Sequence, residues 1–193
     1  MAGVVSKAAP SGVVARVTLA TIVVAPEPLT RYAIGRTVET RFGAASGVMR
    51  TRLQHAYDLV PKLRDAGLVR VVGTVPTRPG KEPTRLYAAT QAGVADWREW
   101  LAGPITMPDA MTRALSRLYA VRRGDFATML AIIDRYEATL QAIVQQASDP
   151  GDPADVADRI GLLWNRRELV AQLQWCQHAR DVIYEEMSVR DPR

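Results

Sequence analysis

The forty residues from Gln54 to Gly93 constrain this chain more than any other stretch. They open with an apolar-periodic segment that reads as a buried helix (QHAYDLVPKLRDAGLV). A β-branched run follows (LVRVVGTVP), then a Pro/Gly turn (TRPGKEP), a second extended run (TRLYAAT) and the start of another helix (TQAGVADWREWL). The apolar period thus switches from helix to strand and back. Helix, two-stranded ribbon, helix is the closing half of a winged helix-turn-helix. The ribbon and the helix before it carry most of the local positive charge, which points first to a nucleic-acid partner.

Charge is unevenly spread along the 193 residues. Residues 1–103 hold 14 Lys+Arg against 7 Asp+Glu, and residues 104–193 hold 11 against 13. A basic front half beside a mildly acidic back half implies that only the front meets a polyanion. Arg far outnumbers Lys, which a GC-rich genome also produces, so charge supports the fold argument and does not replace it. The single cysteine, Cys176, excludes an internal disulfide framework and fits a reducing cytoplasm. The apolar run Val13–Ala25 is broken by Arg16 and closed by Pro26, too short for a membrane span. No membrane association is expected.

The boundaries follow from composition. Residues 1–13 read as a flexible arm, 14–103 as the winged helix-turn-helix and 104–193 as a helical dimerisation domain. The expected class is mainly α with a small β-hairpin. In the first domain Arg16–Val24 is apolar enough to be buried on several sides. Thr30 is placed to cap a helix over Arg31–Phe42 with Tyr32, Ile34, Val38 and Phe42 inward. Thr51-Arg52-Leu53-Gln54 has the pattern of a capping box. Leu53, Tyr57, Val60 and Leu63 then face the core, with Arg50, Arg52, His55, Leu59 and Lys62 nearer the other side. Gly67 closes this helix in the left-handed manner. Pro61 lies inside it, where it deletes one backbone bond at a cost of about 3 kcal/mol unless compensated, so a kink or a later start is expected. Val69, Val71 and Val75 alternate against Arg70, Val72 and Thr74, and Thr90 is placed to cap the next helix.

In the second domain, Asp109–Arg122 forms a short helix with Met111, Leu115 and Leu118 on one face. Asp125 caps a longer one with a stripe of Phe126, Met129, Leu130, Ile133, Leu140, Ile143 and Val144. Asp152 and Pro153 start the last helix, which runs to about Ser188. Leu162, Leu169, Cys176 and Ile183 repeat every seven residues, with Arg166, Leu173, Arg180 and Met187 as companions. This is a coiled-coil-like seam with polar interruptions. A helical hairpin with two apolar faces exceeds what one subunit of this size covers, so Leu162, Leu169, Leu173, Cys176, Ile183 and Met187 are assigned to a homodimer interface.

Tyr57, Val60, Leu63, Gly67-Leu68, Arg85-Leu86-Tyr87 and Thr90-x-Ala92-Gly93 with Trp97 and Trp100 resemble the PadR family of bacterial transcriptional regulators over residues 17–102. Leu169–Trp175 is similar to the dimerisation helices of its longer members. Gln91 stands where that family usually has Glu, and Pro61 lies one position later than usual. The resemblance implies a homodimer that binds a pseudo-palindromic operator in double-stranded DNA, with the third helix in a major groove and the wing along a minor groove. It also implies repression, relieved by a small molecule or stress signal.

Arg50, Thr51, Arg52, Gln54, His55, Tyr57 and Lys62 on the helix, with Arg78, Lys81 and Arg85 on the ribbon, are the candidate DNA contacts. Arg52 is best suited to a bidentate contact. The plain alternative is a solvated basic face. Trp97, Trp100, Tyr119, Trp164 and Trp175 either line a pocket for a small aromatic effector or pack as ordinary core. Cys176 and His178, two apart on a helix, point to nearly opposite sides and cannot co-operate. With one cysteine and two histidines no zinc spacing exists. No phosphate loop, nucleophile elbow or other catalytic constellation occurs, and no cofactor is implied. The rival to a DNA-binding regulator is a winged-helix module that contacts another protein and has no operator of its own.

Overall fold

The computed structural model describes residues 10–43, 51–77, 81–106, 109–146 and 156–190. The chain divides into two compact units: Met1–Gly103 with Leu115–Arg123, and Pro104–Ala114 with Gly124–Arg193. Among the described residues the class is mainly α, with one small antiparallel sheet.

The first unit is built around α1, Val13–Val24. Its apolar residues occupy every side and are buried on every side: Ala15, Val17, Leu19, Ala20, Ile22 and Val23. Thr18 and Thr21 are buried with them. Their hydroxyls donate to the carbonyls of Val14 at 2.6 Å and Val17 at 2.8 Å, so no polar atom is stranded. Pro26 and Pro28 follow the last turn, as expected of a helix stop.

Strand β1 is only Leu29–Thr30, and Thr30 at once caps α2, Arg31–Phe42, its hydroxyl accepting from the Ala33 amide at 3.1 Å. Ile34, Val38 and Phe42 are buried. Tyr32, expected inward, is 61% exposed. It lies two residues before Ile34, roughly 200° around the helix from that inward stripe.

Helix α3 spans Leu53–Asp65. It ends in a Schellman motif: Gly67 has φ 75°, its amide donates to Arg64 at 2.9 Å, and the Leu68 amide donates to Leu63 at 3.0 Å. Strands β2 (Val69–Val75) and β3 (Thr84–Ala89) form the expected hairpin. The third strand was not foreseen: β1 pairs with β3 (Leu29 opposite Tyr87, Thr30 opposite Leu86), giving the order β1-β3-β2. The ribbon also departs from simple alternation. Val71 lies opposite Tyr87 but Gly73 lies opposite Leu86, so Val72 is an extra, bulged residue. Beyond it the parity reverses. Thr74, opposite Arg85, joins the face of Val69 and Val71, and Val75 moves to the other side.

Helix α4, Gln91–Ala102, starts where the hairpin returns to the end of α3. The Thr90 side chain accepts from the Gly93 amide at 3.0 Å, and the Thr90 amide donates to the Leu68 carbonyl at 3.0 Å. A Cβ on Gly93 would sit 2.0 Å from that same carbonyl, so only glycine lets the helix approach this closely. Thr90 and Gly93 of the Thr-x-Ala-Gly pattern therefore meet a packing requirement. Arg16 of α1 pairs with Asp96 of α4.

Helix α5, Ala110–Ala120, contributes its later residues to the first unit. Its last carbonyls are taken by side chains of that unit. Arg41 donates to Tyr119 at 2.7 Å and the Trp97 indole N–H donates to Ala120 at 3.3 Å. The small residues Ala114, Ser116 and Ala120 are buried, whereas Met111, Leu115 and Leu118, the expected inward face, are only half-buried.

In the second unit α6 (Phe126–Gln146) packs against α7 (Val156–Arg190). Asp125 caps α6 as expected, accepting from the Thr128 amide at 3.1 Å and the Thr128 hydroxyl at 2.8 Å. Ile132, Ile133, Tyr136 and Leu140 form the buried stripe, and Val144 is 40% exposed. Asp152 and Pro153 lie outside the described residues.

Candidate nucleic-acid interface

The outward face of α3 carries Gln54, His55, Asp58 and Lys62, all exposed, with Arg52 exposed at the N-cap. His55 and Lys62 are seven residues apart, about 10 Å along one face. The expected capping box does not form. The helix begins one residue later than the pattern requires, so Arg52 is the N-cap and makes no side-chain cap bond. Thr51 is 6% exposed with its hydroxyl unpartnered among the described residues, which removes it from the outward face. Gln54 donates forward to Asp58 at 2.8 Å. The Leu53 amide finds the Glu39 carboxylate of α2 at 3.4 Å. Leu59, expected on the outward side, is 8% exposed: with Ala56, Val60 and Leu63 it makes the buried face one residue wider than the sequence spacing suggested.

Helical geometry continues through Pro61. Proline supplies no N–H, so the carbonyl four residues back, on Tyr57, loses its helical partner. Arg31, the first residue of α2, replaces it: Nε and Nη2 donate to the Tyr57 oxygen at 3.2 and 3.0 Å. The same guanidinium lies 3.7 Å from the centroid of the Tyr57 ring and 3.9 Å from Asp58. Tyr57, assigned to DNA from the sequence, is half-buried beneath that cation.

On the ribbon, Lys81 and Arg85 are exposed, and Arg70 on β2 joins them. Thr77 closes the base of the loop, its hydroxyl within reach of the Glu82 carbonyl at 2.8 Å and the Lys81 carbonyl at 3.2 Å. Arg50 and Arg78 lie outside the described residues. The cations of α1 to β3 differ in how they are held. Arg16, Arg31, Arg36 and Arg64 are held by carboxylates, and hydrogen bonding to Asp65 raises the Arg64 pKa further. Arg52, Lys62, Arg70, Lys81 and Arg85 have no ion pair with a described residue.

No protein-family model matches the chain, and no curated protein matches it. Among solved structures it is similar to the Bacillus subtilis PadR crystallised in complex with operator DNA. The identity is 16% and the TM-score 0.40, over 89% of this chain and 99% of that one.

The candidate aromatic set is divided between the two units. Trp97 is buried and spends its N–H on a backbone carbonyl. Trp100 is half-buried, 5.8 Å from the Arg117 guanidinium. Tyr119 packs edge-on to Phe42 at 6.0 Å. In the second unit Trp175 packs edge-on to Tyr136 at 6.0 Å, while Trp164 is 69% exposed. Those two tryptophans are eleven residues apart, about 16 Å along α7.

The heptad seam is resolved into two parts. Cys176 and Ile183 are buried within the unit, Leu169 and Leu173 half-buried, and Met187 is 39% exposed. The side chain of Leu162 lies outside the description. Arg180 pairs with Asp134 at 2.8 Å and with Glu137, which hold its guanidinium the more firmly protonated. Tyr136 donates to Gln172. Cys176 and Ile183 therefore serve α6 of their own chain, correcting their assignment to a dimer interface. The exposed apolar residues of α7 include Met187 of that set and, beyond it, Val156, Ile160, Leu163, Trp164 and Val170 in the first half and Val182, Tyr184 and Val189 near the end. Burial pushes the Cys176 thiol up to about 11 and the Tyr136 phenol up to about 12. A thiol so placed is inert as a nucleophile. Among the described residues no group of three His, Cys, Asp or Glu could hold a metal, and no helix is long and apolar enough to cross a membrane.

Proposed function

We propose that this protein is a bacterial, cytoplasmic transcriptional repressor of PadR type that binds operator DNA as a homodimer. The observation that carries this reading is the concentration of exposed cations on two consecutive elements. Arg52 and Lys62 at the outward face of α3, and Arg70, Lys81 and Arg85 on the ribbon, have no ion pair with a described residue, a state that Arg98, Arg122 and Arg123 share elsewhere in the unit. A helix presenting Arg52, His55 and Lys62, joined to a ribbon presenting Arg70, Lys81 and Arg85, supplies what a groove-reading element and a phosphate-tracking wing need. Phosphate contacts supply most of the affinity, and base contacts from the helix supply the specificity. The uncovered stripe from Val156 to Val170 on α7 supports pairing with a second copy. A small aromatic effector would act by changing the separation of the two readers.

The test is a gel-shift titration of the full chain across salt, on a duplex holding its own promoter and on a scrambled duplex. The promoter is expected to bind more tightly, with affinity falling steeply with salt. Arg52→Glu should weaken promoter binding most. Lys81→Glu should weaken both duplexes alike and lower the salt slope by about one. Equal, weak binding to both duplexes by the unaltered protein would refute the regulator reading.

A further inference from the structure

We propose that Arg31 is a positioning residue for α3: its guanidinium stands in for the backbone N–H that Pro61 cannot supply, and so fixes the pose of the outward face. The inference rests on the nucleic-acid reading only for the use of that face, since the brace itself is a property of the fold.

Three observations converge. First, Pro61 frees one particular acceptor, the Tyr57 carbonyl, and a buried or half-buried carbonyl left unpaired is costly. Second, two nitrogens of Arg31 meet that oxygen and no other described side chain is recorded there. A planar fork is suited to this, and its face is at the same time stacked on the Tyr57 ring at 3.7 Å. Third, Arg31 is not on a free segment. It directly follows Thr30, which caps α2 through Ala33 and pairs with Leu86 in the sheet. The brace therefore ties the middle of α3 to the base of the wing, across 26 residues of sequence. Through Nη2, 3.9 Å from Asp58, it also sets a positive charge beside the acidic side chain on the outward face. Arg31 is a cation of the basic half that is already engaged and is not a phosphate ligand.

The experiment is a double-mutant cycle in the full-length protein, combining Arg31→Met with Pro61→Ala. Methionine keeps an unbranched stem and removes the donors, and alanine restores the helical N–H to Tyr57. Arg31→Met alone is expected to lower the melting temperature by roughly 5 °C. It should also speed amide exchange within residues 53–65 and raise the promoter-duplex Kd about tenfold. In the Pro61→Ala background most of each effect should vanish. Arg31→Lys, a single-point donor without the fork, should fall between and secures the cycle if the methionine variant folds poorly.

Equal effects of Arg31→Met in both backgrounds would overturn the proposal. So would a rise in Kd with melting temperature and exchange unchanged and a salt slope lower by about one, which would make Arg31 a phosphate ligand. If the unaltered protein binds no duplex, the regulator reading fails alone, because the melting and exchange arms still decide the brace.

Discussion

The sequences of helices α1 and α7 both depart from a one-faced amphipathic helix, and the two end in opposite surroundings. Within the twelve residues of α1, eight are buried. Of the 35 residues of α7, only Cys176 and Ile183 are buried among those whose side chains are described. A helix apolar all round belongs in the middle of a unit, and its threonines are tolerated because each hydroxyl returns to its own backbone. A helix with apolar residues spread along a great length has a different problem. One neighbour can cover only the part that faces it. Helix α6 covers the stretch around Cys176 and Ile183 and leaves Val156, Ile160, Leu163 and Trp164 at 63–69% exposure. Cys176 and Ile183 thus form an intrachain seam, while apolar residues on both sides of it along the helix, Val182 and Val189 as well as Val156 to Trp164, stay uncovered.

The contrast is open to direct attack. The largest effect belongs to α1. Leu19→Ala, at a site 1% exposed, should cost about 2–5 kcal/mol in denaturant unfolding, because the surrounding helices cannot collapse into the space. A loss below 1 kcal/mol would mean that α1 is not the centre of its unit. Next comes the open stripe of α7. Ile160→Glu should change stability at low protein concentration by no more than about 0.5 kcal/mol. In sedimentation it should convert a dimer into single chains. A dimer that persists would move the pairing surface elsewhere.

The smallest effect is alkaline. Cys176 and Tyr136 titrate at about 11 and 12 when folded, against 9.0 and 10.0 as ordinary groups. The unfolded chain loses these protons first. Stability is therefore full below pH about 9 and falls as pH rises through the two raised values. Cys176→Ala should flatten the first part of that decline in melts taken between pH 8 and 11. An unchanged slope would show that the thiol is not shielded.

Much of the first unit was legible because its signals are local. Thr30, Gly67 and Thr90, like Asp125 in the second unit, did as caps and stops what their chemistry predicts. Tyr32 was misread on helix periodicity alone, but the other misreadings share a cause, which is a partner distant in sequence. The cap pattern at Thr51 failed because the residue turned inward and Glu39 came from another helix to meet Leu53. The two-residue strand at Leu29 exists only because β3 offers it an edge. The bulge at Val72 cannot be read from one strand, since it is a mismatch between two. Of the candidate site, the exposure of Arg52, His55, Lys62, Lys81 and Arg85 was legible, and that of Arg70 was not anticipated. The role of Arg31 was not, although Pro61 announced that one carbonyl would need an outside donor.

At the foot of the ribbon, Leu68 and Thr90 stand 22 residues apart and are hydrogen-bonded, with Gly93 pressed against the same carbonyl. The ribbon between them leaves and re-enters the unit at this staple, and beyond it only the short pairing of Leu86 and Tyr87 with β1 holds it in the sheet. The wing is in effect a cassette. Its length, bulge and tip can drift from one descendant to another while the body that carries it keeps its shape, which gives such a scaffold an inexpensive way to change what it touches.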